Sequence, residues 1–301
     1  MFRLLVVNVR KSITDKSFYA CVLMVFALCF TATISHNAQT GDPENILFAV
    51  FHYDNATLLS DVSFNAFAVF QKGGEGWLAM FIPIIAAFSF MSSFYEERQS
   101  KFIRYCISRT KKLTYHAGNF ISALLSGGAI AVIGYILFGI VIRMTFPPMS
   151  EYTKETIDLF NSEVLANYGS IIFHIYSTQG IWILYAISCV EMFLFGAMAV
   201  LPAFVLSAVI RNKYLILCIP FFLYYVLTQL SARLYGIAYA DIMNPDEALA
   251  RIGTIINPLT ILSVLSRLRT SNTVLVLDFV LLISAFLMFH ILMNRRLDSG
   301  E

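Results

Sequence analysis

The chain has 301 residues, of which 58% are hydrophobic and 13% are charged, and its mean hydropathy is +0.72. A soluble globular domain carries about 25% charged residues, so this composition excludes an ordinary soluble enzyme and gives no sign of a nucleic-acid partner. The formal net charge is only +2, so the distribution of charge along the chain is more informative than its sum.

Six apolar runs are each long enough to cross a bilayer. A helix rises about 1.5 Å per residue, so roughly 20 residues cross a hydrocarbon core about 30 Å thick. Because lipid offers no partner for backbone amides and carbonyls, such runs must be helical. The sequence therefore predicts one all-α, polytopic membrane domain over residues 1–301. The six predicted spans are residues 17–35, 77–95, 120–144, 181–210, 214–231 and 273–293.

The segment before the first span, residues 1–16, mixes Leu and Val with basic side chains. This amphipathic composition favours a helix that lies in the membrane interface, and the alternative is an ordinary charged flank of the first span. The first apolar run is longer than the about 7–15 residues of a signal-peptide core, and five more spans follow. We therefore expect the first span to be retained.

The basic residues predict the orientation. The segments 1–16, 96–116, 211–213 and 294–301 together hold 14 of the 21 Lys and Arg residues, but only five of the 19 Asp and Glu residues. Short cytoplasmic segments carry an excess of Lys and Arg in membrane proteins. The sequence therefore predicts a multi-pass protein of the cell membrane with both termini in the cytoplasm.

The long outer segments are predicted to contain short helices. In residues 146–180, Ser150 is a candidate N-cap for an amphipathic helix. Between the fifth and sixth spans, Asn244-Pro245 and Asn257-Pro258 each supply a cap followed by a proline at the first helical position. These two outer helices are too short to span, so we expect them either to dip into the outer leaflet or to roof a cavity.

The largest inner loop has a helical pattern and suggests a family. Its residues Glu97, Phe102-Ile103-Arg104-Tyr105, Ser108-Arg109 and Gly118 follow the second span in that order. An acid, an apolar stretch, a Ser-Arg pair and a glycine in this place resemble the transmembrane subunit (permease) of type-2 ABC transporters, which are small six-helix exporters. The chain departs from the family pattern because no proline precedes Ser108, Ser100-Lys101 replaces Gly-Thr, and Asn119 replaces a lysine.

The resemblance implies a half-transporter, in a bacterial cell membrane. Two such permeases, identical or different, would form the pathway, and two copies of a cytoplasmic ABC ATPase would drive it through a coupling helix in this loop. ATP and Mg would then bind the ATPase, and this chain would hold no cofactor. The implied ATPase-coupling residues are Glu97, Arg98, Lys101, Phe102, Arg104, Tyr105, Ser108 and Arg109. Alternatively, the loop cations fix the topology and contact anionic membrane lipids.

These 301 residues contain no G-x-x-x-x-G-K-[ST] motif, and the glycine-rich run at 72–76 lacks the trailing Lys-Ser/Thr. We therefore do not expect the chain itself to be an enzyme. The expected function is export of a peptide, a drug-like molecule or a lipid-like molecule. The alternatives are a membrane enzyme acting on a lipid-linked substrate, for which Glu96, Glu97 and His116 are the inner candidates, and a non-transporting subunit for sensing or immunity.

One acidic residue, Glu191, lies near the middle of the fourth span. An acid within the bilayer is costly and faces protein or water, so Glu191 is predicted to line the pathway or to contact a cationic group of the substrate. The alternative is a structural acid hydrogen-bonded near Ser188. The five histidines are scattered without ligand spacing, so we predict no metal site, and no disulfide is expected. Ala123, Gly127 and Ala131 are spaced to let another helix approach the third span closely.

Overall fold

The computed structural model describes residues 2–36, 43–99, 106, 110–210, 212–240, 246–263 and 272–298. Within these ranges the chain forms thirteen α-helices and one sheet of two short strands. Four helices are long and apolar enough to cross a membrane, and the number rises to six if each of two bent helix pairs is one span. The predicted helical membrane fold is therefore confirmed at this level, while the layout of six spans remains a prediction.

The first bent pair is formed by α1 (Phe2–Thr14) and α2 (Lys16–Cys29), which meet at 67°. Asp15 caps α2, because its carboxylate accepts a hydrogen bond from the backbone N–H of Ser17. The sequence predicted a helix through residue 35, but α2 ends at Cys29. The chain then forms β1 (Thr33–His36), which pairs antiparallel with β2 (Pro43–Asn45). Two backbone bonds from the next segment, including Ile46 N–H to Ala32 C=O at 3.0 Å, hold this extended path.

The predicted outer segment 36–76 folds into short helices. They are α3 (Ile46–His52), α4 (Asn55–Ser60) and α5 (Ala66–Lys72). Helix α5 is buried and forms the second bent pair, at 60°, with α6 (Trp77–Gln99). The break between them needs a glycine at Gly76, whose φ of +70° is a left-handed conformation that side chains rarely adopt.

Two long helices and their short connections follow. Helix α7 (Lys112–Thr145) leads to a 3-10 turn at Met149–Glu151, then to α8 (Lys154–Gln179), which is kinked at Gly169 with φ +77°. The prediction that Ser150 caps a helix is wrong, because Thr153 is the N-cap of α8. Tyr152 explains the difference. Its side chain is buried, its hydroxyl donates to the carbonyl of Leu58 at 3.1 Å, and its backbone is extended.

The remaining helices are α9 (Trp182–Ala199), α10 (Leu201–Ser207), α11 (Lys213–Ala238), α12 (Glu247–Ile256) and α13 (Asn272–Asp298). Asp246 caps α12, and Asn244-Pro245 lies outside the described residues. The segment predicted to be a second outer helix begins as a 3-10 helix, Pro258–Ser263. There the side chain of Asn257 accepts a hydrogen bond from the N–H of Leu259.

Helix α7 is the centre of the bundle and packs against α1, α2, α6 and α9. Its contact with α9 is closest at Gly127 and Gly196. A Cβ on Gly127 would lie 2.2 Å from Val200 Cγ2, and a Cβ on Gly196 would lie 2.5 Å from Ala131 Cβ. The predicted close approach along Ala123, Gly127 and Ala131 is therefore present, and α9 is the helix that makes it.

The bundle has two ends, which we name by what they contain. The terminal end holds α1, the start of α7 and the last turns of α13, which are joined by side-chain hydrogen bonds. The loop end holds the short helices α3 to α5, the 3-10 helix Pro258–Ser263 and α8. Hydrogen bonds from Tyr152 to Leu58 and from Gln71 to Tyr168 connect its segments.

Candidate functional site

A cavity of about 620 Å³ lies at the loop end, between α5, α7, α8, α9 and the 3-10 helix. It contains Glu191, and we call it the Glu191 cavity. Its walls are formed by Ala68, Gln71, Lys72, Gly74, Glu75, Gly76, Tyr135, Tyr168, Ser188, Glu191, Met192, Leu259 and Leu262.

Helix α9 supplies one wall. Residues three and four apart share a face of a helix, so Ser188, Glu191 and Met192 face the cavity together, and all three side chains are buried. The break between α5 and α6 supplies a second wall. Here Gly74 leaves room for the end of Met192, since a Cβ on Gly74 would lie 3.1 Å from Met192 Cε.

Glu191 is the buried acid of this cavity, with only 2% of its surface exposed. The hydroxyl of Tyr168 accepts a hydrogen bond of 2.7 Å from Gln71 Nε2. Burial, and after it the negative charge of Glu191, raise the pKa of Tyr168 to about 12. Tyr168 therefore stays neutral at physiological pH. Tyr135 donates its hydroxyl to the carbonyl of Phe70 at 2.7 Å, which fixes the ring in the wall.

The mouth of the cavity carries an ion pair. Lys72 Nζ and Glu75 Oε2 are 3.2 Å apart, and the two side chains are 49% and 59% exposed. The two opposite charges offset each other at the mouth. The structure thus places Glu191 in the wall of a cavity, as a pathway residue would be, with Ser188 in the same wall. Whether a substrate passes there stays a prediction.

Of the residues predicted to couple to an ATPase, the structure describes Glu97 and the backbone of Arg98, and both lie at the terminal end. Glu97, in the last turn of α6, forms an ion pair with Lys11 of α1, with Nζ and Oε1 2.8 Å apart. The backbone of Arg98 continues α6. The other predicted coupling residues lie outside the described residues, and so does the predicted coupling helix. They are Lys101, Phe102, Arg104, Tyr105, Ser108 and Arg109.

Helix α1 is joined to the bundle by polar contacts that the sequence did not predict. Asn8 Nδ2 donates to Asn119 Oδ1 at 2.6 Å, and the hydroxyl of Ser12 lies 3.1 Å from that of Ser89 and 2.6 Å from that of Ser126. Asn8, Lys11 and Ser12 are spaced to share one face of α1. This spacing is the feature of the sequence that could have indicated a polar contact face. The interfacial-helix prediction missed that this face packs against protein.

A histidine pair lies nearby, in which His116 is buried and His290 is partly buried. His116 Nδ1 and His290 Nδ1 are 2.9 Å apart, and His290 Nε2 is 3.1 Å from Asn294 Nδ2. This pair joins α7 to α13. In the part of the chain that the structure describes, no group of three or more His, Cys, Asp or Glu side chains is arranged to hold a metal ion. The sequence analysis did not predict this contact.

No family model matches the chain, and no curated protein matches it significantly. The functional argument therefore depends on the residues and distances of the terminal end and of the Glu191 cavity.

Proposed function

We propose that this chain is the membrane-spanning subunit of an ATP-driven exporter, coupled to a separate ATPase at its terminal end. The resemblance of residues 97–118 to type-2 ABC permeases suggests this class. The observation that carries the proposal is the ion pair between Lys11 of α1 and Glu97 of α6, whose charged atoms are 2.8 Å apart. We call this ion pair the joint. A soluble motor can move a membrane helix only if the segment that it grips is attached firmly to that helix.

Both ends of the candidate coupling segment are attached in this way. Helix α6 is bound to α1 through Glu97, close to its end at Gln99, and the next long helix, α7, begins at Lys112. Helix α7 is bound to the same α1 through Asn119 and Ser126. A displacement of the segment between α6 and α7 would therefore act on α1, α6 and α7 as a unit.

The Glu191 cavity supports the transport half of the proposal. Binding sites for small molecules occupy about 300–1,000 Å³, and this cavity measures about 620 Å³. It lies at the loop end, opposite the proposed motor. Two permeases would assemble with two copies of the ATPase, and the exposed apolar faces of α11 and α13 would meet lipid or the second permease.

Copurification tests the proposal directly. A tagged copy of the chain, extracted in mild detergent from its native host, is expected to bring down a second protein with a Walker motif, identified by mass spectrometry. The complex should hydrolyse ATP, and the candidate substrate should stimulate this hydrolysis. An ATPase without substrate stimulation would instead indicate a sensing or immunity subunit, and a chain that does its work without any ATP-binding partner would refute coupling.

A charge reversal tests the joint itself. We expect Lys11→Glu to lower substrate-stimulated ATP hydrolysis in the complex, because it puts two acids together at the joint. The double variant, Lys11→Glu with Glu97→Lys, should restore this hydrolysis. Arg251→Glu is the control, since it reverses one charge of an exposed ion pair, with Glu247 on α12, that lies outside the Glu191 cavity. If both single variants behave alike, the Lys11–Glu97 joint has no special role.

A further inference from the structure

We propose that a second cavity at the loop end binds one amphiphilic anion, which is an apolar body or chain that ends in a carboxylate or a phosphate. The cavity measures about 350 Å³ and lies between α5, the end of α7, the 3-10 turn at Met149–Glu151, α8 and the start of α9. It contains Arg143, and we call it the Arg143 cavity. This inference goes beyond the proposed function and does not depend on it, because the binding needs neither ATP nor a partner.

The charge of this cavity follows from the type of one residue. Arg143, in the last turn of α7, is the one charged side chain among the described lining residues. An arginine side chain keeps its positive charge in proteins. In the part of the chain that the structure describes, the ion pairs join other residues, so no described carboxylate neutralises Arg143. A ligand with a negative group would supply this counter-charge.

The guanidinium of Arg143 is held in place without being neutralised. Its carbon Cζ lies over the ring of Trp182, 4.3 Å from the ring centroid. The guanidinium also interacts with the hydroxyl of Tyr185 in the cavity wall. Neither an indole ring nor a phenol is a counter-ion. Because a guanidinium has five N–H donors in one plane, donors remain for a further group, and two of them match the two oxygens of a carboxylate or a phosphate.

The start of α9 adds a potential of the same sign. Ile181 lines the cavity and is the N-cap of α9, where no side chain accepts a hydrogen bond from the first backbone N–H groups. The N-terminus of a helix carries a partial positive charge. It therefore reinforces the attraction of Arg143 for an anion, and none of the described lining residues is an acid that would oppose it.

The walls of the Arg143 cavity fit an apolar group. Phe67 is buried, and its ring centroid lies 5.2 Å from that of Tyr185. Tyr176 donates its hydroxyl to Asn161 Oδ1 at 3.0 Å, so its ring is the part left to face a ligand. Sites for small molecules occupy about 300–1,000 Å³ and combine apolar walls with a few polar groups. A ligand that fills this cavity therefore needs an apolar body as well as an anionic group, and inorganic phosphate alone would leave the walls uncovered.

Two molecules with the same apolar cage and opposite charge test the proposal. Adamantane-1-carboxylate and protonated adamantan-1-amine are dialysed to equilibrium against the purified chain in phosphatidylcholine nanodiscs, and empty nanodiscs measure the partition into lipid. We expect saturable binding of the carboxylate only. Arg143→Gln should lower its affinity roughly tenfold or more. Arg251→Gln, the same substitution on α12 outside the cavity, is the control and should change the affinity less than about threefold.

A second variant fills the cavity and covers the case in which Arg143→Gln does not fold, as judged by its thermal transition. Ser150 lines the cavity and is exposed, so Ser150→Phe leaves Arg143 in place and occupies the space for the apolar group. It should abolish binding, while Ser177→Phe, at an exposed serine of α8 outside the cavity, should not. Equal binding of the amine, unchanged binding in Arg143→Gln or Ser150→Phe, or no saturable binding of the carboxylate would overturn the proposal.

The lipid composition of the nanodisc identifies the source of the anion. The comparison is made at high ionic strength, at which the surface charge of the disc is screened. If the phosphate of a membrane lipid occupies the Arg143 cavity, replacing part of the phosphatidylcholine by phosphatidylglycerol should lower the affinity for adamantane-1-carboxylate severalfold, because the anionic lipid competes for Arg143. An unchanged affinity would assign the cavity to a free amphiphilic anion. Both results uphold the anion site, since each is read only from a chain that binds the carboxylate through Arg143.

Discussion

Ser12 connects α1 to two other helices through one side chain. It is buried, and its hydroxyl contacts Ser89 on α6 and Ser126 on α7. Hydrogen bonds between helices of membrane proteins contribute about 0.6 kcal/mol on average and up to about 1.7 kcal/mol. Because Ser12→Ala removes two of them, we expect it to lower the free energy of unfolding by about 1 kcal/mol, measured by SDS titration in mixed micelles.

The control for Ser12 is Ser284→Ala on α13. This serine is exposed, and its hydroxyl donates to the carbonyl of Leu281 in its own helix. We expect its effect to stay within about 0.5 kcal/mol, as for most exposed substitutions. If the two variants lose the same stability, the polar face of α1 does not hold it to the bundle.

Single residues differ in how far the sequence predicts their role. Glu191 could be singled out because one acid in a long apolar run is costly wherever the helix lies. The contact of His116 with His290 could not, because the two are 174 positions apart and no local spacing reports it. The same holds for Tyr168, which joins the Glu191 cavity because α8 is kinked one residue later, at Gly169.

At the scale of elements, the crossing of α7 and α9 sets the packing of the bundle. A Cβ on Gly196 would lie 2.5 Å from Ala131 Cβ and 2.7 Å from the carbonyl oxygen of Gly127, which is too close without a backbone shift. Overpacking of this kind costs about 1–3 kcal/mol. We therefore expect Gly196→Ala to lower the thermal unfolding temperature clearly, as measured by tryptophan fluorescence.

Gly236→Ala is the matched control for this crossing. Gly236 is also within a long apolar helix, α11, but nothing lies within 4 Å of the position of its Cβ. Alanine is a better helix former than glycine by about 1 kcal/mol, so this variant should be unchanged or more stable. A loss of stability in both variants would attribute the effect to glycine flexibility and not to the α7–α9 contact.

Hydropathy predicts the long helices well and their ends poorly. Apolar runs of sufficient length have no alternative to a helix in lipid, which is why α6, α7, α11 and α13 lie where the sequence put them. Ends depend on tertiary contacts. The helix expected after Ser150 begins only at Lys154, because the side chain of Tyr152 is anchored to Leu58 in a distant loop. The buried helix α5 was missed because seven residues are too few for a recognisable span.

At the scale of the whole molecule, the distribution of charge separates the two ends of the bundle. Lys and Arg are concentrated in segments 1–16, 96–116, 211–213 and 294–301. The described parts of the first two meet at the terminal end, where His116 of the second also contacts His290 of α13. The positive-inside rule predicts that this end faces the cytoplasm. The proposed function requires the same orientation, since ATP is available only there, and it makes the Glu191 cavity face outward.

Cysteine labelling tests this orientation on the intact molecule. In a background with the five native cysteines replaced by serine, Glu155→Cys at the loop end and Thr110→Cys at the terminal end are both exposed positions. We expect a membrane-impermeant maleimide to label Glu155→Cys in intact cells and Thr110→Cys only after the membrane is permeabilised, because a charged reagent cannot cross the hydrocarbon core. Labelling both positions after permeabilisation shows that each is reactive. Labelling of Thr110→Cys from outside would show that the candidate coupling segment lies on the side of the membrane that has no ATP. Coupling to a cytoplasmic ATPase would then be impossible, whatever the Glu191 cavity binds.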